Sequence, residues 1–407
     1  RGEVKDLGLI TINESKAKDF ILKNQGLIDA VAKSVSGLVR DANGNLDVYS
    51  ADNLEKILSY KGHLGISNQD NLTSIDELQY YRNVTGITLD KNKNLAGKLD
   101  FSKYPQLVGS IIVQNSPLVT SIDVTGLDKI TAFSATNMKN MIDVTIKGNS
   151  KLQTVSLHHN ESLQAVDVRD LPELRLVETY YSKSVTTIKT AGSPKLTSIN
   201  ATSSGSLSSI PGLNENTQLV DFVAPYTPLE SLDFSNQPNL RSVNLLSAKV
   251  KELKGLAASG TNLKNLQLSN TQLSSLDVSN NTELLELELY NSKITKLDVT
   301  ANKKLKRLRI PFNPLEELVL GDNTALEYLD ISHDRLSTLD ITKLTALKKV
   351  YAGRQTQKAN PGILQSMTVY YTAAQQTVLD PVIAGSKDPS KVNYAETNAD
   401  ATYVVKN

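Results

Sequence analysis

The chain of 407 residues contains no cysteine and no tryptophan, and aromatic residues make up only 5% of it. Without cysteine there is no disulfide, no thiolate nucleophile and no sulfur ligand for a metal, although the compartment stays open. Basic and acidic residues nearly cancel, 44 against 43, so no net field draws the chain to nucleic acid or to an anionic membrane. No apolar run is long enough to span a bilayer, and RGEVKDLGLI does not read as a signal peptide. With so few rings, Leu, Ile and Val must supply the packing. The length alone suggests roughly two or three globular domains. An internal repeat removes the basis for that prior, because stacked repeats grow without a single large core.

What the sequence does contain is one phrase, many times over. Apolar–any–apolar triplets start at Leu266, Leu276, Leu287, Leu297, Leu308, Leu318, Leu329, Leu339 and Val350, in steps alternating between 10 and 11. The same anchor runs through Leu232, Val243 and Leu253, and earlier from Ile111 to Ile199 in steps of 11. The one large slip, from Leu253 to Leu266, spans GLAASG and reads as a loop insertion. A fixed period of this size marks a repeat architecture. Each triplet alternates in and out as a short strand does, and the Asn, Ser, Asp or Gly that follows turns the chain. Half a coil is too short for a helix as well, so both sides of the coil are expected to be extended or 3-10.

Two consecutive half-coils differ in kind. In one, Leu305, Leu308, Ile310, Asn313 and Leu315 follow the pattern L-x-x-L-x-L-x-x-N-x-L. In the other, Ile294, Leu297, Asp298, Val299 and Asn302 follow L-x-x-L-D-L-x-x-N. This pairing resembles the leucine-rich repeat, in the nested bacterial form (IRREKO type) found in internalin-like and Bacteroidetes cell-surface proteins. The likeness runs from about Ile75 to Ala352, and about two dozen half-repeats agree. It implies a β-rich leucine-rich-repeat solenoid, a right-handed coil of about 21–22 residues per turn with short strands on both sides. The expected division is a small helical N-terminal cap (1–72), the solenoid (73–352) and a mixed C-terminal cap (353–407). Ser292 and Thr271 stand where the pattern wants asparagine, and Leu344 does so in the last turn, leaving the backbone hydrogen bonds there without an evident partner.

The half-repeats containing Leu297 form a monotonous second ladder, with LDFSK, IDVTG, LDVSN and LDITK recurring. Sameness of this kind is what stacking dictates. The ladder containing Leu287 varies just after its triplets: His158 and His159, Tyr180 and Tyr181, Pro225 and Tyr226, Tyr290, Phe312, His333, then Arg354. Tyr328 comes just before one of its triplets and Tyr351 falls within the next. Rings combine apolar area with a polar handle, so these positions are read as a ligand-binding strip. The alternative for any one of them is packing over the edge of the coil. Glu288, Arg309 and Asp330 lie 21 apart, as do Glu286 and Arg307, which predicts ion pairs between coils rather than ligand contacts. Asp277 and Asp298 stack like charge on like charge. Hydrogen bonds to the next turn's backbone, or a calcium ladder, would account for them.

At the N-terminal end, Leu27, Ile28, Val31, Ala32, Val35 and Val39 have helical spacing, with a shorter helix ahead of them capped by Asn13. Asp41, Asn43, Asn45, Asp47 and Asp52 occupy the ligand positions of an EF-hand loop, but Leu46 replaces its glycine and Asp52 its glutamate. Similar loops precede the repeats of Bacteroidetes surface proteins. Asp41, Asn43, Asn45 and Asp52 are therefore weak calcium candidates, and a loop that holds its shape without metal is the preferred reading. No other cofactor is expected. Near the C-terminus, Met367, Val369 and Tyr371 read as a strand and Ala373–Leu379 as a short helix.

His63, His158, His159 and His333 are too far apart in a solenoid to share a metal. No nucleophile elbow, P-loop or HExxH sequence occurs. The expectation is a non-catalytic binding protein recognising a protein partner through the variable ladder. The alternatives are a glycan-binding surface, with Tyr180, Tyr181, Tyr226, Tyr290 and Phe312 against sugar rings, and a purely structural spacer. The resemblance implies an adhesion-type role on the extracellular face of a bacterial cell. It also implies that any membrane attachment runs through a lipid anchor outside this sequence.

Overall fold

The computed structural model describes residues 26–377, 379 and 400–406. The leucine-rich-repeat solenoid expected from the period is what forms. The chain divides into two compact units, Arg1–Asn216 and Thr217–Asn407. In the first, parallel strands of the first ladder run from His63–Ser67 through Gly86–Asp90 and Thr154–Ser156 to Ser198–Asn200. In the second they run from Asp221–Val223 to Lys349–Tyr351. Register is kept by the triplet anchors: Leu266 faces Leu287, which faces Leu308, then Leu329, then Val350. Each anchor is fully buried or nearly so. Since side chains alternate along a strand, a slip of one residue would turn every leucine outward, and the period prevents it.

The second ladder is also extended, but it is broken into small sheets, such as Ala165–Asp167 with Thr187–Lys189 and Lys296–Asp298 with Glu317–Val319. GLAASG is not an open loop. Leu256–Asn262 winds into 3-10 turns after Gly255, whose φ of 82° and crowding against the Ser235 backbone exclude a side chain there.

Buried asparagines tie coil to coil. Asn160 donates to the carbonyls of Ala135 and Leu157, and Asn302 to those of Val278 and Asn281. Where the pattern departs from asparagine, hydroxyls take over: Thr271 Oγ1 and Ser292 Oγ both reach the carbonyl of Leu268. The gap at Leu344 is filled from outside the repeat. Gln375 Nε2 donates to the carbonyls of Ile341 and Leu344, at 2.7 and 3.1 Å. Gln375→Ala would leave those two carbonyls without this donor. It is expected to cost about 1–3 kcal/mol, read as faster amide exchange over residues 341–347 than in the wild type.

The N-terminal end differs from expectation. The strand His63–Ser67 already belongs to the ladder, so the parallel stack begins inside the predicted cap. Among the described residues the N-terminal helix covers Gly26–Ala32 and stops well before Val39, which is 58% exposed. Its apolar spacing continues, but Ser34, Ser36 and Gly37 end the helix first. Glu77 caps it from afar, accepting the Ile28 N–H at 3.2 Å, and burial raises its carboxyl to about 8. The Asn13 cap lies outside the described residues. At the other end Met367–Tyr371 forms the expected strand and continues the second ladder, pairing with Thr338–Asp340 and Ala401–Val405. A 3-10 turn, Ala373–Gln375, opens the short helix placed there.

Candidate functional site

Each first-ladder coil leaves its strand through a residue with positive φ. In the first unit these include Asn115, Asn137, His159, Tyr181 and Ser203. In the second they include Tyr226, Asn270, Asn291, Phe312, His333 and Arg354. The solenoid favours this conformation, because it lets the N–H of most of these residues reach a carbonyl of the next coil. His159 donates to Tyr180, Tyr181 to Thr202, and His333 to Gly353, at 2.9, 2.8 and 3.0 Å. Left-handed backbone suits asparagine and costs a bulky residue about 1–2 kcal/mol. Asparagine duly fills several of these places and adds a side-chain ladder of its own, as from Asn291 to Asn270 at 3.0 Å. At His159, Tyr181, Tyr226, Phe312, His333 and Arg354 the sequence accepts the strain instead.

Rings at and beside these positions stack. In the first unit His158 lies on Tyr180 with centroids 4.3 Å apart and planes 7° from parallel, while His159 lies on Tyr181 at 5.1 Å and 29°. His158 Nδ1 and His159 Nδ1 are 2.8 Å apart. In the second unit Phe312 lies on His333 at 4.0 Å and 16°, and Tyr290 meets Phe312 edge-on at 5.4 Å. The Arg309 guanidinium covers Tyr290, 5.0 Å from its centroid. Adjacent strands are about 4.8 Å apart, a spacing that lets rings in equivalent places on neighbouring coils meet face to face, as His158 and Tyr180 do. Tyr181 and Phe312 remain 55% and 45% exposed. Tyr226 is 53% exposed and joins neither stack. Arg354 takes the last left-handed place of its column.

Two of the expected strip residues are packing. Tyr351 is only 8% exposed, with Tyr328 and Tyr403 packed against it. The Arg307 guanidinium closes over Tyr328 at 4.1 Å. Both tyrosines sit within strands, Tyr328–Asp330 and Lys349–Tyr351, and Ala401–Val405, the strand that carries Tyr403, brings its ring against Tyr351. The ion pairs also differ in detail. Arg307 pairs diagonally with Glu288 instead of with Glu286, its partner in register. Arg309 lies 3.7 Å from Glu288 and 4.0 Å from Asp330. One carboxylate thus faces two guanidiniums, which are already committed to it and to rings.

The stacked aspartates have a local explanation. Asp298 Oδ1 accepts from the N–H and hydroxyl of Thr300, and Asp277 Oδ1 from those of Ser279. Those hydrogen bonds hold both carboxyls below the usual range. Asp233–Ser235 and Asp340–Thr342 repeat the arrangement. The bonds stay within each aspartate's own turn and do not run to the next one. In the N-terminal loop Asp41 Oδ1 accepts from the N–H groups of Asn43 and Asn45, Arg40 pairs with Leu46, and Asp52 lies in the first turn of the helix Ala51–Leu58 capped by Ser50. Among the described residues no group of three or more His, Asp or Glu side chains gathers as metal ligands do, and no helix is long and apolar enough to cross a membrane.

No protein-family model and no curated protein matches the chain. Solved structures with a similar architecture include an internalin, InlF, of Listeria monocytogenes, at 15% identity over 82% of this chain and 96% of that one, with a TM-score of 0.49. They also include the functional domain of InlJ from Listeria monocytogenes, at 19% identity over 76% and 73%, TM-score 0.41. A leucine-rich-repeat protein of Leptospira interrogans, LIC12759, is similar at 15% identity over 80% and 94%, TM-score 0.42. These likenesses concern architecture only.

Proposed function

We propose that this chain is a non-catalytic binding protein that holds a protein partner against the ring stacks at the exits of the first-ladder strands. The observation that carries this reading is the placement of bulky rings at left-handed positions where asparagine fits with less strain. Strain kept at exposed positions points to function. The ring orientation favours a protein. Sugar recognition needs an open ring face, and His158, His159, Tyr290 and Phe312 each have one of their two faces taken by a neighbour. Rigid ring edges beside asparagine and serine suit the apolar side chains of a protein surface. Glycan binding is retained as the second reading because of Tyr181, which ends its stack with Ser203 in the equivalent place on the next coil. On the repeat pattern, we place the protein outside a bacterial cell, at its surface or released from it.

The test replaces rings with the residue the backbone prefers. Tyr181→Asn and Phe312→Asn should melt no lower than the wild type. Protein ligands selected from a displayed library on the wild-type chain should lose at least roughly 30-fold in affinity on one variant or the other, with a glycan array silent for all three. Array binding that disappears in Tyr181→Asn would establish the sugar reading instead. Variants that melt lower yet keep every ligand would mean that the rings are packing.

A further inference from the structure

The first unit's platform contains a feature that binding alone does not require. His158 and His159 are neighbours in sequence, yet their rings do not fan apart. They meet edge to face at 79° with the two Nδ1 atoms 2.8 Å from each other. At that distance one Nδ1 carries a proton and the other accepts it, so the pair holds one proton between them. The left-handed backbone of His159 and the parallel stacking of Tyr180 on His158 keep the two rings in this contact. We propose that the His158–His159 pair is an acid-operated release element of the platform: a second proton turns the shared hydrogen bond into two opposed N–H groups, and the rings separate, breaking the surface that Tyr180 and Tyr181 complete.

The surroundings fit that role. Burial is the largest influence on His158, followed by the neighbouring His159, and both hold its imidazole below the ordinary value; Glu178 acts in the opposite sense. Glu178 is held by Ser156 Oγ at 3.1 Å, and Tyr180, on the same coil, stacks on the His158 ring. The sign follows directly. A histidine whose folded value is lowered binds fewer protons folded than unfolded, so its arrangement is complete above the ordinary histidine range and is lost as pH falls through the folded value. The platform is therefore closed at neutral pH and opens in acid. This rests on the reading that the platform binds a partner, but its test needs no partner.

Only four histidines occur in the chain, so imidazole nitrogens can be followed by NMR on full-length protein labelled in histidine, together with tyrosine ring signals. His158 should take up its proton in a step separate from and below that of a histidine model peptide, with Nδ1 of the pair showing a shared proton at neutral pH. The Tyr180 and Tyr181 ring signals should move in the same step. In His159→Gln, His158 should return toward the ordinary value and the tyrosine signals should cease to follow it. Two independent titrations at the ordinary value, with tyrosine signals unmoved, would overturn the proposal. So would an unchanged His158 step in His159→Gln. If His159→Gln does not fold, the wild-type titration by itself decides. Should the rings separate in acid while library ligands ignore Tyr181→Asn, the switch stands and the binding role of this stack falls.

Discussion

Asp334→Asn is expected to stabilise the second unit at neutral pH by about 1–3 kcal/mol, the cost of a buried polar atom without a partner. Asp334 is fully buried in the column that also contains Asn313 and Gln355. Its Oδ1 accepts the Asn313 N–H at 2.8 Å, but its Oδ2 has no hydrogen-bond partner. The amides on either side show what that place requires. Asn313 Nδ2 donates to Leu289 and Ile310, and Gln355 Nε2 to Ile331 and Ala352. The same steps counted back from Asp334 lead to Ile310 and Ile331, which are carbonyls, so a carboxylate there would face acceptors with an acceptor. Burial pushes its carboxyl well above the usual range, and the nearby Asp330 adds to this. The neutral acid therefore suits the fold. Its contribution is fully present below the ordinary aspartate value and is lost as pH rises toward the folded one, by about 1.4 kcal/mol per pH unit. Denaturation of wild type and Asp334→Asn should accordingly diverge from pH 4 upward, with the variant the more stable. Parallel curves across that range would show that Oδ2 has found a donor.

One coil earlier the same column predicts the opposite sign. Asn313→Ala should destabilise by on the order of 3 kcal/mol. The amide makes bonds in both directions: Nδ2 reaches Leu289, Ile310 and Pro311, and Oδ1 accepts the N–H groups of Ser292 and Ile294 at 3.2 and 3.3 Å. Alanine would strand buried backbone groups on two coils. Asn313→Ser should cost less, since Ser292 already shows a hydroxyl reaching back to the Leu268 carbonyl from this column. Equal losses for the two variants would mean that the cost is a cavity and not the missing bonds. Hydrogen exchange would locate the damage, with amides of residues 289–294 exposed first.

These two positions show how far the amino-acid sequence could be read. Asn313 was legible because it falls on the asparagine of the repeat pattern, three residues after Ile310 and two before Leu315. Asp334 occupies that place one coil later, yet only the packed coil reveals a carboxyl without a donor. The ring strip was legible as a list and only partly as a site. Tyr351 and Tyr328 looked like His158 or Phe312 until the strand Ala401–Val405 brought Tyr403 against Tyr351 and Arg307 closed over Tyr328. The left-handed backbone under the rings went unread, although asparagine at 115, 137, 270 and 291 was its signal.

By itself the sequence determined the coil length, the inward leucines and the asparagine columns, while the turns that each Asp makes with the Ser or Thr two residues on came from the structure. All of these are set by neighbours within one half-coil and recur, so each repeat confirms the last. The tertiary structure decided which side chains meet across a coil: Glu288 with Arg307 and not Glu286 with it, Gln375 beneath Leu344, His158 on Tyr180. Those contacts join residues 19 or more positions apart, through rotamers that no period specifies. Ring faces are taken up by such contacts, and what the platform can bind depends on which edges are left.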